Sequence, residues 1–138
     1  MAIHMRFFLI LAFAAAFSIL PARADLSPEA REYLAEVGLD PNSAEIAPFA
    51  GDVVRTRNGP VSIDDLARQK RSRREILRFV STRRFVQEYR RDPGTRLPAT
   101  DDYSAAYVSD DEKKMVQPAF RKAGDELYLR SLQQGKKP

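Results

Sequence analysis

Residues 72–91 read Ser-Arg-Arg-Glu-Ile-Leu-Arg-Phe-Val-Ser-Thr-Arg-Arg-Phe-Val-Gln-Glu-Tyr-Arg-Arg and carry the strongest structural signal in the chain. The stretch opens with Ser72 and Glu75 at the spacing of a capping box, in which a hydroxyl and a carboxylate satisfy each other's backbone donors at a helix start. Two more boxes of this kind are Ser62 with Asp65 and Ser109 with Glu112. Because apolar residues at helical spacing follow each box, the sequence predicts three helix starts.

The apolar residues of positions 66–91 form two sets that face different directions on a helix. The first set is Ile76, Leu77, Phe79 and Val80, and the second is Phe85, Val86 and Tyr89. At about 100° per residue, their centres differ by more than about a third of a revolution. We therefore expect the helix to break near Ser81-Thr82. The alternative is one long helix covered on two sides.

Upstream, the sequence predicts two helices and one extended passage. Ser27-Pro28-Glu29 combines a capping hydroxyl, a first-position proline and an acid, and it predicts a helix that ends at Gly38. Asp40-Pro41 predicts a brief second helix that carries Ile46 and ends near Pro48. Residues 53–61 contain β-formers on either side of an Asn-Gly-Pro turn, which favours a short hairpin or an extended loop.

Downstream, two further helices are predicted. Asp92-Pro93-Gly94 ends the long helical stretch, and Asp101-Asp102 opens a short helix with Tyr103 and Tyr107 one turn apart. The last helix is expected from about Asp110 to Gln133. Pro118 lacks a backbone donor, so it should kink or split that helix.

Together these signals predict an all-α fold, a small bundle of four to six short helices with one possible hairpin near 53–61. Residues 25–134 are expected to form a single helical domain and residues 135–138 a flexible tail. Charged residues make up 30% of the chain, so its core is expected to be small.

Residues 1–24 have the pattern of a cleaved signal peptide. A positively charged start, an apolar run over Phe7–Leu20 and small residues around Arg23 indicate cleavage after Ala24. This predicts a periplasmic or secreted protein, and a retained leader acting as a membrane anchor is the alternative. The part after the leader would contain no His and no Cys.

That composition removes the commonest catalytic groups. Without His or Cys, imidazole acid–base chemistry, thiolate nucleophiles and His/Cys zinc sites are not available, and no cofactor or metal is expected. Carboxylates or a Ser–Lys pair remain, which leaves a small hydrolase or transferase as an alternative function. Its candidate residues are Asp101, Asp102, Ser109 and Lys113, within acidic clusters that helix capping also explains.

Charge is unevenly distributed along the part after the leader. Residues 25–65 carry nine acids and three bases, residues 68–91 carry ten bases and two acids, and residues 92–138 carry eight of each. The central segment thus has a net charge of +8, which repels itself unless negative groups lie nearby.

This basic segment allows two interpretations. In one, acids of the N-terminal helices pair with it; they are Glu29, Glu32, Glu36 and Asp40. In the other, an external anion binds arginines of the segment, whose planar guanidinium groups suit carboxylates and phosphates. The binding residues in that case are Arg73, Arg74, Arg83, Arg84, Arg90 and Arg91. The bases are expected to be scattered around the helix rather than aligned on one face.

The leading hypothesis is an exported, non-enzymatic interaction protein of the bacterial envelope that binds an acidic protein or a polyanion. Nucleic acid is not expected as the partner of an exported protein, and a membrane is expected only through an uncleaved leader. Besides the enzyme alternative, the chain could be a structural subunit of a larger assembly or form a homo-oligomer. The exposed apolar face expected for that role contains Tyr103, Tyr107 and Tyr128.

Overall fold

The computed structural model describes residues 26–135, which are mostly helical, as expected. The four helices are α1 (Pro28–Glu36), α2 (Ile63–Arg68), α3 (Arg73–Arg91) and α4 (Asp110–Gly135). One two-stranded sheet, β1 (Val54–Thr56) and β2 (Gly59–Val61), and two 3-10 helices, Ala47–Phe49 and Ala105–Tyr107, complete the fold. The expected leader and residues 136–138 of the expected tail lie outside the described residues.

Four of the predicted helix starts, those after Ser27, Ser62, Ser72 and Ser109, are confirmed. The hydroxyls of Ser27, Ser62 and Ser72 each accept a hydrogen bond from the backbone N–H three residues later. At the start of α4 the box is reciprocal, because Glu112 N–H donates to the Ser109 hydroxyl while Ser109 N–H donates to the Glu112 carboxylate. Just after α1, Gly38 has a φ of 78°, the left-handed conformation expected of a terminating glycine.

The hairpin near 53–61 is also present. Strands β1 and β2 pair antiparallel, with Val54 opposite Val61 and Thr56 opposite Gly59. The Thr56 hydroxyl donates to the Gly59 carbonyl at 2.6 Å, and Gly59 has a φ of 107° that side chains disfavour. A two-stranded hairpin is marginal by itself, and this one is anchored by Val54, which is buried in the core.

The expected break near Ser81-Thr82 is wrong, since α3 runs without interruption from Arg73 to Arg91. The helix is covered on two sides instead. Its first half contributes Ile76, Phe79 and Val80 to a core shared with α1, α2 and the hairpin. Its second half contributes Phe85 and Val86 to a separate core formed with α4 and the segment before it.

Two short predicted helices are replaced by turns and 3-10 helices. After Asp40 the chain forms turns and the 3-10 helix Ala47–Phe49, because the Asp40 carboxylate and carbonyl bind the next residues locally. Ile46 is nevertheless fully buried. The segment after Asp101-Asp102 forms only the 3-10 helix Ala105–Tyr107. Tyr103 and Tyr107 belong to different cores.

Helix α4 is longer than predicted and is not split by its proline. It continues through Pro118 and ends at Gly135. Val116 and Ala123 are buried against the second core, and Phe120 packs partly buried beside them. Leu127, expected on the same side, is 39% exposed because α4 extends past that core.

Candidate functional site

Of the six arginines expected to bind an external anion, Arg83 is turned inward. It is only 8% exposed, and its guanidinium forms a two-point ion pair with Glu112 at 2.8 and 2.9 Å. It also donates to the Tyr107 carbonyl at 3.1 Å, and its Nε lies 3.6 Å from Asp52. These contacts join α3 to the start of α4 and to the hairpin side, so Arg83 is a structural residue.

Glu112 is the centre of this buried ion-pair network. It is 6% exposed and receives hydrogen bonds from Arg83, from Arg90 at 3.0 Å and from Ser109 N–H at 2.9 Å. Burial alone would raise the pKa of Glu112, but the hydrogen bonds from Arg83 and Ser109 outweigh it and lower the pKa to about 2. The pKa of Asp52 is raised instead, because burial outweighs the attraction of Arg83.

A second, exposed group of contacts lies at the start of α3. Arg74 pairs with Asp101 at 3.0 Å, and both side chains are more than half exposed. Arg78 donates to the Asp101 carbonyl at 2.8 Å and pairs with Glu75 at 2.8 Å. These contacts attach the loop before α4 to α3, although exposed pairs stabilise a fold only slightly.

The acids that pair with α3 are not the four N-terminal acids that were expected to pair with the basic segment. Within residues 26–135, no ion pair joins an α3 arginine to Glu29, Glu32, Glu36 or Asp40. The acids that pair with α3 are Asp52, Glu75, Asp101 and Glu112. Two of these four acids, Asp101 and Glu112, come from later in the chain, Glu75 lies in α3 itself, and Asp52 comes before it.

Three α3 arginines remain, Arg73, Arg84 and Arg91, which we call the arginine row. All three are exposed, and none has an ion-pair partner in the described part of the chain. Arg84 lies eleven positions after Arg73, and Arg91 lies seven positions after Arg84. Both spacings are close to whole numbers of helical turns, so the three Cα atoms have similar angular positions. They span about five turns, or about 27 Å along the helix axis. The guanidinium of Arg84 lies over the ring of Phe49 at 5.4 Å, which orients it.

Beside the arginine row lies a cleft of about 350 Å³. It is lined by Arg73, Arg74, Leu77, Arg78, Ser81 and Asp102. Three of its lining residues are arginines, and only Arg73 among them belongs to the row and lacks an ion-pair partner in the described residues. Sequence reasoning missed the alignment, which is visible only once the bases with internal partners are set aside.

The residues considered for enzyme chemistry each have a structural contact. Ser109 caps α4, and the Lys113 ammonium lies 3.7 Å from Asp110. Asp101 pairs with Arg74, and Asp102 accepts a hydrogen bond from the Thr100 hydroxyl at 3.2 Å. Over residues 26–135, no group of three or more His, Cys, Asp or Glu side chains is placed to hold a metal ion.

The three tyrosines expected on an exposed apolar face do not form one. Tyr107 is buried against Phe79, Tyr103 is half-buried beside Phe85, and only Tyr128 is exposed. The exposed apolar residues of the described chain lie mainly near the end of α4 instead; they are Leu127, Tyr128, Leu129 and Leu132. In the region described, no helix combines the length and apolar character needed to cross a membrane.

Comparisons with known proteins find no relative. No protein-family model matches the chain, and neither the curated proteins nor the solved structures contain a significant match.

Proposed function

We propose that this chain is a non-enzymatic interaction protein that binds an acidic protein or a polyanion through the arginine row of α3. One observation carries the proposal: Arg73, Arg84 and Arg91 are each exposed on a rigid helix and have no acidic partner in the described residues. Arg83 is left out of the proposed surface because its guanidinium is buried and bound.

Rigidity supports this surface as a binding site. Helix α3 is packed between two cores, so its exposed side chains are carried on a backbone that does not have to be ordered on binding. Arginine keeps its charge at any physiological pH and can donate two parallel hydrogen bonds to a carboxylate or phosphate. The arginine row is thus suited to an extended anion that can reach its three exposed guanidinium groups.

The proposal is tested by replacing the arginine row. We expect Arg73→Ala/Arg84→Ala/Arg91→Ala to weaken binding of polyglutamate, a mimic of an acidic protein, by about tenfold or more. The matched control is Arg31→Ala/Arg55→Ala/Arg121→Ala, which removes the same charge from exposed sites elsewhere. Binding is measured by fluorescence anisotropy at increasing salt, and it should weaken as salt rises.

Equal losses in the two triple variants would show that net charge, not the arginine row, governs binding. Binding by the parent protein that does not respond to salt would remove the electrostatic basis altogether. Circular dichroism of each variant establishes that the fold is retained.

The proposed location is the bacterial envelope, as a periplasmic or secreted protein. This part of the proposal depends on the leader pattern of residues 1–24. Expression of the full chain in a Gram-negative host, followed by fractionation and N-terminal sequencing, should find Asp25 as the first residue outside the cytoplasm. An intact leader on protein recovered from the cytosol would contradict it.

A second candidate, self-association as a structural subunit, is favoured by the apolar end of α4. Tyr128 and Leu129 are 63% and 57% exposed, which is unusual for large apolar side chains that neighbour one another. Sedimentation should show a dimer that Leu129→Gln/Leu132→Gln dissociates, and a monomer at all concentrations would exclude this candidate.

A further inference from the structure

A cavity in the described chain lies away from the arginine row. It has a volume of about 480 Å³ and lies between the hairpin, the end of α2 and the segment that leads into α4. Pockets for small molecules commonly have volumes of about 300–1,000 Å³. The cavity is therefore large enough for a small organic ligand.

The lining is basic. Arg57 from the hairpin turn, Arg71 from the loop before α3 and Lys113 from the first turns of α4 line it, and no acidic side chain does. The Lys113 ammonium lies 3.7 Å from an Asp110 carboxylate oxygen, which is long for an ion pair, and Arg57 has no ion-pair partner among residues 26–135. Three cations from three separate elements thus line one cavity with little internal compensation.

The remainder of the lining combines apolar and amide groups. Pro60, Val61 and Leu66 supply apolar surface, while Asn58 and Gln69 supply side-chain amides. A lining that combines apolar side chains with cations fits a ligand with an apolar body and an anionic group. Polymer anions, in contrast, need an open surface such as the arginine row.

The loop that carries Arg71 is held in place from both sides. The Tyr33 hydroxyl donates to the Arg71 carbonyl. Lys70 has a φ of 57°, a left-handed conformation that is rare outside glycine, and its ammonium lies 4.9 Å above the Tyr33 ring. On the facing side, the Tyr107 hydroxyl donates to Glu75, whose charge is also bound by Arg78. The cavity is therefore built largely before any ligand arrives.

We propose that this cavity binds a small organic anion, a molecule with an apolar body and one phosphate or carboxylate group held by Arg57, Arg71 and Lys113. The site is separate from the arginine row, so a protein could bind a small anion and an acidic partner at the same time. A mutation that removes binding at one of these two sites should leave binding at the other site unchanged.

The test is an NMR titration of the full mature chain with phenyl phosphate. We expect saturable shifts of the backbone amides of Asn58, Gln69 and Ala106, which line the cavity. Inorganic phosphate should shift the same amides at about tenfold higher concentration, because it lacks the apolar body. Benzyl alcohol, which has no anionic group, should not bind there.

The matched variants have the same change in net charge. Arg57→Gln/Arg71→Gln/Lys113→Gln should weaken phenyl phosphate binding about tenfold or more, whereas Arg31→Gln/Arg121→Gln/Lys122→Gln should leave it unchanged. Shifts confined to other amides, equal losses in the two variants, or equal affinity for phenyl phosphate and inorganic phosphate would each overturn the proposal. The arginine row triple variant should bind phenyl phosphate as the parent does.

Discussion

Arg83 shows how burial changes the role of a charged residue. A guanidinium at 8% exposure has lost most of its hydration, and it is stabilised only by the carboxylates and carbonyl that replace water. Its Nε has no hydrogen-bond partner and lies 3.6 Å from Asp52. Removal of one member of such a network is costly, since the others stay buried with their charge uncompensated.

We therefore expect Arg83→Met to lower the free energy of unfolding by about 3 kcal/mol, because Glu112 stays buried with only Arg90 as an ion-pair partner. Urea unfolding measures the change. Arg74→Met is the control, because Arg74 and Asp101 are exposed and their pair should contribute less than about 1 kcal/mol. Equal, small effects of the two substitutions would contradict the structural role of Arg83.

Glu112 also gives the protein an expected dependence on pH. Its pKa is about 2 in the folded protein against an ordinary value of 4.5, so it binds protons less readily when folded. Its contribution, on the order of 3 kcal/mol, is fully present above about pH 4.5 and is lost as the pH falls toward about 2. The raised pKa of Asp52 acts in the opposite direction.

Urea unfolding at a series of pH values checks this dependence. The parent protein should lose stability steadily between about pH 4.5 and pH 2. Glu112→Gln should be less stable at neutral pH, and its stability should change less across the same interval. A variant that loses stability as steeply as the parent would show that other carboxylates cause the acid sensitivity.

At the scale of the elements, α3 is continuous past Thr82, and the hydroxyl of Thr82 makes two hydrogen bonds there. Its side chain is fully buried, and its hydroxyl donates to the Arg78 carbonyl at 2.7 Å while accepting from Ser104 N–H at 3.0 Å. At the position where a break was expected, the Thr82 hydroxyl thus ties an unbroken α3 to the loop before α4.

We expect Thr82→Val to destabilise the protein by about 1–2 kcal/mol, because valine keeps the volume but leaves Ser104 N–H without its partner. Ser81→Val is the matched control; it removes a hydroxyl from the next position, and its effect should stay within about 0.5 kcal/mol. Thermal unfolding followed by circular dichroism measures both. A neutral Thr82→Val would mean that water replaces the lost contact.

Local signals were sufficient for the helix starts and the hairpin turn. The contacts of Ser62, Ser72 and Ser109 span three residues, so the sequence pattern contains all the information they need. The long helix was different. Whether Phe79 and Phe85 share a helix depends on which elements cover each side, and those elements are distant in the sequence.

The site was harder to predict for the same reason. Arg83 and Arg84 are neighbours of one type, yet the first is bound to Glu112, 29 positions later, and the second is exposed. Residue type and local sequence do not predict which of the two arginines is buried. The basic segment could be located from the sequence, but the residues available to a partner required the tertiary contacts.

At the scale of the whole molecule, α3 joins two cores that otherwise share few elements. The first core contains α1, α2 and the hairpin, and the second contains the first half of α4. Arg83 adds a second connection, since it reaches Asp52 on one side and Glu112 on the other. These links should make the described region unfold as one unit.

Native-state hydrogen exchange tests this cooperativity. Phe85→Ala removes a ring that contacts Tyr89, Tyr103 and Phe120, and it should cost about 3–5 kcal/mol. If unfolding is cooperative, the most slowly exchanging amides of α1 and of α4 should lose protection against exchange by the same amount. Loss confined to α4 would show that the two cores open independently.

The spacing of the arginine row has a consequence for the size of its ligand. Arg73 and Arg91 are separated by about 27 Å along a helix that cannot shorten, so a short acidic oligomer engages only one end. Affinity should then rise stepwise with oligomer length and level off once both ends are reached, because further units add no contact. Through its length, the helix would distinguish long anionic chains from their shorter fragments.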